Sequence, residues 1–346
     1  MKSFSPGDPR IIWHGRTFED PPGTKFLIGS VSSFQFRILG NKCRVIIQNG
    51  ASPGEYNYMS FDIDGVHHER VAIKFDKPTP FELPISSDAE YHDIEIFKET
   101  EAPCGQIVIT GIESYDLSEV PDQKKMKIEF IGNSITAGMA SDPSLVECEN
   151  GKWYDQHNAY DAYGPRIART LNLDFSIAAI SGIGIYRNWN TDYPVMEDVY
   201  QKTFLSVDTN DPEWDFKKFS PDLVCINLGT NDLSAGDGYA SRLPFDSTRF
   251  INKYVEFIRK IHFQNPQAKF LLLQHSMPGE HHMPMLKVCL ESVRHKAESS
   301  IDGLRGIEIF SFTSFTPTGC TGHPGLKDHE KMAVELEPVI RGILNL

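Results

Sequence analysis

The sequence has 346 residues, of which 40% are apolar and 23% charged, with a formal net charge of −13 at pH 7. That length fits two ordinary domains, and that balance excludes wholesale disorder and fibrous repeats. The acidic charge repels a polyanion such as nucleic acid, because Lys124, Lys125 and Lys127 are too few to form a basic patch; no apolar run approaches the roughly 18–20 residues of a membrane-spanning helix, the best being Phe270–Leu273.

Residues 1–118 read as short strands separated by turns. Phe26–Gly29, Ser33–Leu39, Cys43–Gln48, Tyr58–Ile63, Arg70–Phe75, His92–Lys98 and Gln106–Ile112 are rich in β-branched and aromatic residues. Several alternate, as in Phe34-x-Phe36-x-Ile38. Turn signals fall between them at Gly40-Asn41, Asn49-Gly50, Ser52-Pro53-Gly54, Asp64-Gly65 and Lys77-Pro78. This spacing predicts an all-β sandwich or jelly roll without an amphipathic helix. Residues 119–126 read as a linker.

From 127 to 346 strands alternate with helices. Strands are expected at Lys127–Ile131, Asp174–Ile180, Leu223–Leu228, Lys269–Gln274 and Gly306–Phe310. Helices are expected at Tyr160–Leu171, Phe250–Phe263, Met285–Glu298 and His329–Leu344. The pattern predicts a doubly wound, three-layer α/β domain with a parallel sheet, whose ligands gather beyond the carboxyl ends of the strands.

Those ends carry the chemistry. Gly132-Asn133-Ser134 follows the first strand, Gly182-Ile183-Gly184 the second and Gly229-Thr230-Asn231-Asp232 the third, while His323-Pro324 precedes the last helix. A serine in a tight turn after a buried strand can expose its hydroxyl, glycines admit backbone N–H groups close to a ligand, Asn231 offers an amide and His323 a base. Taken singly, each is also an ordinary turn, loop or helix cap. Their weight comes from occurring together, in order, in one α/β half.

Gly132-Asn133-Ser134, Gly184, Asn231 and His323 resemble the four blocks of the SGNH (GDSL-type) hydrolase superfamily. The strings Ser181–Asn188, Trp214-Asp215-Phe216 and Pro221–Asp232, with Trp13-His14-Gly15-Arg16 near the start, are similar to carbohydrate esterase family 2 acetylesterases. The resemblance implies a jelly roll ahead of an SGNH domain. It implies Ser134 as nucleophile, His323 as general base, and an oxyanion hole formed by the N–H groups of Ser134 and Gly184 with the amide of Asn231. It implies an acetylated carbohydrate as substrate, with O-6 acetyl groups favoured, and no metal or organic cofactor. Two departures stand out. Cys320 occupies the place three before the histidine where many relatives carry Asp, and Thr321 and Gly322 replace an Asp and an aromatic residue. A Ser–His dyad is therefore expected, with a backbone carbonyl on the histidine's Nδ1. Asn133 replaces the usual Asp, keeping shape without charge.

Tyr186, Arg187, Asn188 and Trp189 follow the second strand end and are candidate sugar contacts, although Tyr186 and Trp189 could equally pack the loop. Trp153, Tyr154 and His157 could form a rim or an oligomer contact. His281-His282 with His275 is a poor metal set, lacking a suitably spaced acid. Six separated cysteines without a CxxC pair argue against a zinc ribbon and read as free buried thiols, or as one disulfide if the protein is exported. No secretory signal is present as written, so the protein is expected in the cytoplasm or as an exported form already processed. A general short-chain esterase or thioesterase, a carbohydrate-binding protein without catalysis, and a metallophosphoesterase are the rival readings.

Overall fold

The computed structural model describes residues 1–121, 125–239, 241–275 and 283–346. It divides into two compact units: Met1–Lys124 with Asn158–Tyr160, and Lys125–His157 with Asp161–Leu346.

The first unit is an antiparallel β domain, with ten strands among the described residues. Its spine is one strand, Ser33–Gly50, where the sequence reads as two around a Gly40-Asn41 turn. One edge of this strand pairs with Ile12–His14 and then Gln106–Ser118; the other pairs with Tyr91–Lys98 and then Thr79–Glu82. Residues 34, 36 and 38 face the core in the first half, and 43, 45 and 47 in the second. Even positions thus give way to odd ones, which requires an irregularity in the period of two. Gly40 supplies it at φ 73°, where a Cβ would also strike the Tyr115 ring at 2.7 Å. From the spine, Phe34, Phe36 and Val45 enter the core, and neighbouring strands add Met59, Phe61, Ile94, Ile96, Ile107 and Ile109.

The expected helix beginning at Tyr160 starts instead at Tyr163. Tyr160 belongs to the first unit: its backbone N–H donates to Glu99 Oε2 (2.9 Å), its hydroxyl to Asp62 (3.0 Å), and its ring stacks on His67.

The second unit holds a parallel sheet, with five strands among the described residues in the order Asp174–Ala179, Lys127–Gly132, Leu223–Asn227, Lys269–Gln274, Glu308–Ser311. The central strands are buried on both faces, which explains their apolar runs, broken only at the buried Glu129. Helix Tyr163–Thr170 packs with Leu326–Leu344, and Ser247–Gln264 with Met283–Ser300, giving the helical layers. Phe250, Tyr254, Phe257, Ile258 and Ile261 form the buried stripe of Ser247–Gln264, as their spacing predicts. In chain order the sheet reads 2-1-3-4-5. Its direction reverses between the first and third strands, so the crevice lies beyond Gly132 and Asn227. No helix among the described residues is long and apolar enough to cross a membrane.

Candidate active site

Gly132 closes the first strand where no side chain fits: a Cβ would lie 2.1 Å from Thr136 Oγ1. The chain then turns into the helical segment Ser134–Ala137. Asn133 caps it, its Oδ1 accepting from the Ile135 N–H (3.2 Å) while its Nδ2 donates to Thr230 Oγ1 (2.8 Å). Ser134 occupies the first helical position, where its N–H has no intrahelical acceptor, and it remains 8% exposed.

His323 lies 189 residues downstream, yet its Nε2 is 2.9 Å from Ser134 Oγ. Its Nδ1 faces the carbonyl oxygen of Thr321 (3.3 Å) and the Thr321 hydroxyl (3.2 Å). With the proton on Nδ1 donated to Thr321, the Nε2 lone pair is left to accept the serine proton. This pair can deprotonate an alcohol and return the proton to a leaving group.

The other expected donors are arranged differently. The Gly184 N–H, expected to face an oxyanion, donates to Asn188 Oδ1 (3.0 Å). Asn231 donates one amide hydrogen to the Ile183 carbonyl (2.8 Å), which leaves the second to point elsewhere. Gly184 is needed for close packing, since a Cβ would come within 2.0 Å of the Arg187 carbonyl oxygen.

Of the four expected sugar contacts, three serve the loop itself. Asn188 Nδ2 donates to Thr191 Oγ1 (3.0 Å) and the Pro194 carbonyl (2.6 Å). Arg187 is buried, donating to the carbonyls of Asp232 (2.6 Å) and Leu243 (2.7 Å). Tyr186 is buried against Phe245 and Phe250, and its hydroxyl accepts from the Asp246 N–H. Trp189 alone is open, at 46% exposure. A cavity of about 440 Å³ lies along this loop, and two of the four candidates, Tyr186 and Arg187, line it with Asn190, Asp192, Arg242 and Arg249; neither Ser134 nor His323 borders it.

Asp232 is the residue that sequence reasoning missed. Fully buried, its carboxylate accepts from the N–H groups of Ile185 (3.0 Å), Tyr186 (2.9 Å) and Arg187 (3.3 Å), so it shapes the loop that carries Gly184. Burial pushes its pKa up to about 6, against the pull of those donors. Its place beside Asn231 was the only signal.

The cysteine expectation is corrected in part. Cys43, Cys104, Cys225 and Cys289 are free and buried, but Cys148 and Cys320 form a disulfide. Trp153 is exposed, while Tyr154 and His157 are buried with their rings edge-on to it. His281 and His282 lie outside the described residues. Among the described residues, His275 is buried with neither ring nitrogen hydrogen-bonded, and no group of three or more His, Cys, Asp or Glu side chains could hold a metal.

Residues 130–308 match the GDSL-like lipase/acylhydrolase family, more than half of the chain. The chain belongs to that family. Residues 13–122 match the carbohydrate esterase 2 N-terminal family, so the GDSL-like hydrolase domain is preceded by that family's β module. The matched hydrolase span includes Ser134, Gly184 and Asn231 and stops short of His323. An acetylxylan esterase / glucomannan deacetylase of Cellvibrio japonicus is 29% identical over 99% of this chain and 91% of its own length. The cellulase/esterase CelE of Acetivibrio thermocellus is 28% identical over 97% of this chain and 40% of the longer relative. A family two carbohydrate esterase from Clostridium thermocellum, solved in complex with cellohexaose, superposes with a TM-score of 0.84 at 26% identity, covering 97% of this chain and 99% of that one. The family two carbohydrate esterase from Cellvibrio japonicus gives 0.85 at 26% identity, covering 99% and 98%. Family and fold together make this GDSL-like protein a carboxylic ester hydrolase of the carbohydrate esterase type.

Proposed function

We propose that this chain is a carbohydrate O-acetylesterase that releases acetate from sugar units of oligo- or polysaccharides, with preference for the exocyclic O-6 position, through a Ser134–His323 dyad. The observation that carries the reading is the 2.9 Å approach of His323 Nε2 to Ser134 Oγ. The relatives' names support the substrate class. Ser134 is only 8% exposed, and an acetyl group on an exocyclic arm reaches such a serine with least entry of the sugar ring.

In the first half-reaction the Ser134 oxygen bonds to the acetyl carbonyl carbon as its proton passes to Nε2. The imidazolium is held by Thr321 through Nδ1. The tetrahedral intermediate collapses, the sugar oxygen leaves with the proton from Nε2, and acetyl stays on Ser134. Water, deprotonated in turn by Nε2, repeats the sequence and releases acetate. The negative oxygen is met by the Ser134 N–H and by the second amide hydrogen of Asn231; the Gly184 N–H joins when Asn188 gives it up. Each such donor is worth about 3–4 kcal/mol at the transition state. A neutral carbonyl behind the histidine fixes the tautomer but stabilises imidazolium less than a carboxylate does. Trp189 is the candidate stacking face for a sugar ring.

The test is acetate release from a panel that pairs 6-O-acetyl glucosides with acetylated xylo-oligosaccharides, for the native chain and Ser134→Ala. The expected result is a higher kcat/KM on the 6-O-acetyl substrates and loss of at least about a thousandfold in the variant, with its circular dichroism unchanged. Equal rates across the panel dismiss the O-6 preference. A steep fall from acetyl to butyryl esters separates this reading from a general short-chain esterase or thioesterase.

A further inference from the structure

The segment just before His323 has a backbone that its sequence does not favour. In the turn Cys320–Gly322, Thr321 lies at φ 52°, ψ 30° and Gly322 at φ 75°. A β-branched residue in the left-handed region is uncommon and is kept there by its surroundings. This conformation presents the Thr321 carbonyl and hydroxyl to His323 Nδ1, at 3.3 and 3.2 Å. Both distances are long, so a small rotation of the turn removes them.

Among the described residues, backbone bonds tie the turn to residues 140–141, and the Asp328 carboxylate holds its flanks, accepting from the Thr318 N–H (2.7 Å) and hydroxyl (2.7 Å) and from the Gly325 N–H (3.0 Å). The Cys320 N–H donates to the Ala140 carbonyl (2.8 Å), and Leu326, beyond the histidine, donates to Ser141 (3.2 Å). Gly319 packs so closely there that a Cβ would lie 2.7 Å from the Ala140 oxygen. These ties fall on the residues flanking Thr321 and Gly322. The disulfide adds a covalent tie at Cys320 itself, to Cys148.

Cys148 is itself well anchored. The Gln156 amide donates to the carbonyls of Val146 (3.3 Å), Glu147 (3.1 Å) and Asn150 (3.0 Å), on either side of Cys148. The Gln156 carbonyl accepts from the Asp142 N–H (2.9 Å), closing the segment back onto residues 141–142. The ring is complete: residues 140–141 hold the histidine turn, 142 holds 156, 156 holds 146–150, and Cys148 holds Cys320.

We propose that the Cys148–Cys320 disulfide is a positioning element for His323, fixing Thr321 so that it orients the imidazole toward Ser134. Cys320 stands three residues before the histidine, so the bridge restrains by covalent attachment the segment that carries the Nδ1 acceptor. The proposal rests on the Ser134–His323 reading. Cys148 is exposed and Cys320 buried, so a reductant meets the Cys148 sulfur first. A water-soluble trialkylphosphine would bond to that sulfur as Cys320 leaves with the S–S electron pair. Water then converts the phosphorus adduct to phosphine oxide and frees the Cys148 thiol, so phosphorus is oxidised by two electrons and the disulfide reduced by two.

The experiment uses the full chain. Thiols are titrated under denaturing conditions, and kcat and KM on 4-nitrophenyl acetate are measured for the native protein, for phosphine-treated protein and for Cys148→Ala. Native protein should titrate four thiols, matching the four free cysteines, and treated protein all six. Breaking the bridge either way should lower kcat by about tenfold with KM within about twofold, and should slow labelling of Ser134 by a serine-directed phosphonate in the same proportion. Six thiols in the native protein overturn the proposal. So does an unchanged kcat after reduction, even with a lowered Tm, because that is a structural role alone. If Cys148→Ala does not fold, phosphine treatment of folded protein gives the same answer. Undiminished activity of Ser134→Ala would overturn the serine reading instead, whatever the bridge does.

Discussion

The Asp232 carboxylate, fully buried, costs the fold free energy when ionised and organises the Gly184 loop when it is. Its pKa, raised from 3.8 to about 6 by burial, means the folded state holds its proton more tightly than the unfolded chain does. Stability from this group is therefore greatest below the unfolded value and is lost as pH rises through about 6. Order in the loop runs the other way. Above that pH the anion accepts from Ile185, Tyr186 and Arg187 together; below it, one oxygen carries a proton and becomes a donor among donors. Activity is expected to fall below about pH 6 through loss of loop order. Asp232→Asn should lower kcat by about tenfold at pH 8, because its NH₂ faces N–H groups, and should remove the Asp232 contribution to the pH dependence of stability between about 4 and 6. Kinetics and denaturant melts across that range check both; an unchanged kcat at pH 8 rejects the loop-shaping role.

At the scale of elements, two glycines of one loop separate packing from conformation. Gly184→Ala places a Cβ 2.0 Å from the Arg187 oxygen and 2.6 Å from Asp232 Oδ2, so the loop must open. An activity loss of about a hundredfold and a destabilisation of about 2–3 kcal/mol are expected, read by kcat and Tm. Gly182 has φ 77° but its nearest neighbour would be 3.8 Å away, so Gly182→Ala should cost only about 1 kcal/mol and leave kcat nearly intact. Equal effects of the two substitutions would contradict this division. The same contrast shows what the sequence made legible. Buried parallel strands announce themselves as short apolar runs, and Lys269–Gln274 lies where Phe270–Leu273 places it. The long strand Ser33–Gly50 was not legible as one element, because a left-handed Gly40 inside a strand reads as a turn unless the even-to-odd shift of core positions is noticed. In the site, Ser134 and His323 could be named from their blocks, and the structure brings them together. Asn188, Arg187 and Asp232 could not be sorted, since their partners are backbone atoms of the loop or residues some 45 positions away, which leave no periodic trace. The Cys148–Cys320 pairing, 172 residues apart, was equally invisible to spacing.

At the scale of the whole molecule, two buried histidines make the fold sensitive to acid. His275 and His329 are held neutral chiefly by burial, which lowers each pKa to about 3; nearby cationic groups, such as Arg166 beside His329, add to this, and the Asp328 carboxylate opposes it. The unfolded chain takes up protons near 6.5 and the folded chain only near 3, so their contribution to stability is complete above the upper value and is lost as pH falls toward the lower. His329→Gln, which can still accept from the Tyr163 N–H, should flatten the pH dependence of unfolding free energy between pH 4 and 6 by about 1.4 kcal/mol per pH unit relative to the native chain. Denaturant melts at several pH values measure this, and parallel curves for the two proteins would show that His329 is protonated in the fold. The catalytic account itself is tested most directly by reacting the full chain with a serine-directed phosphonate and locating the adduct by peptide mass mapping. The account predicts one adduct, on Ser134, formed at least about a hundredfold more slowly in His323→Ala. An adduct on another residue, or labelling of Ser134 that proceeds undiminished without His323, would contradict it.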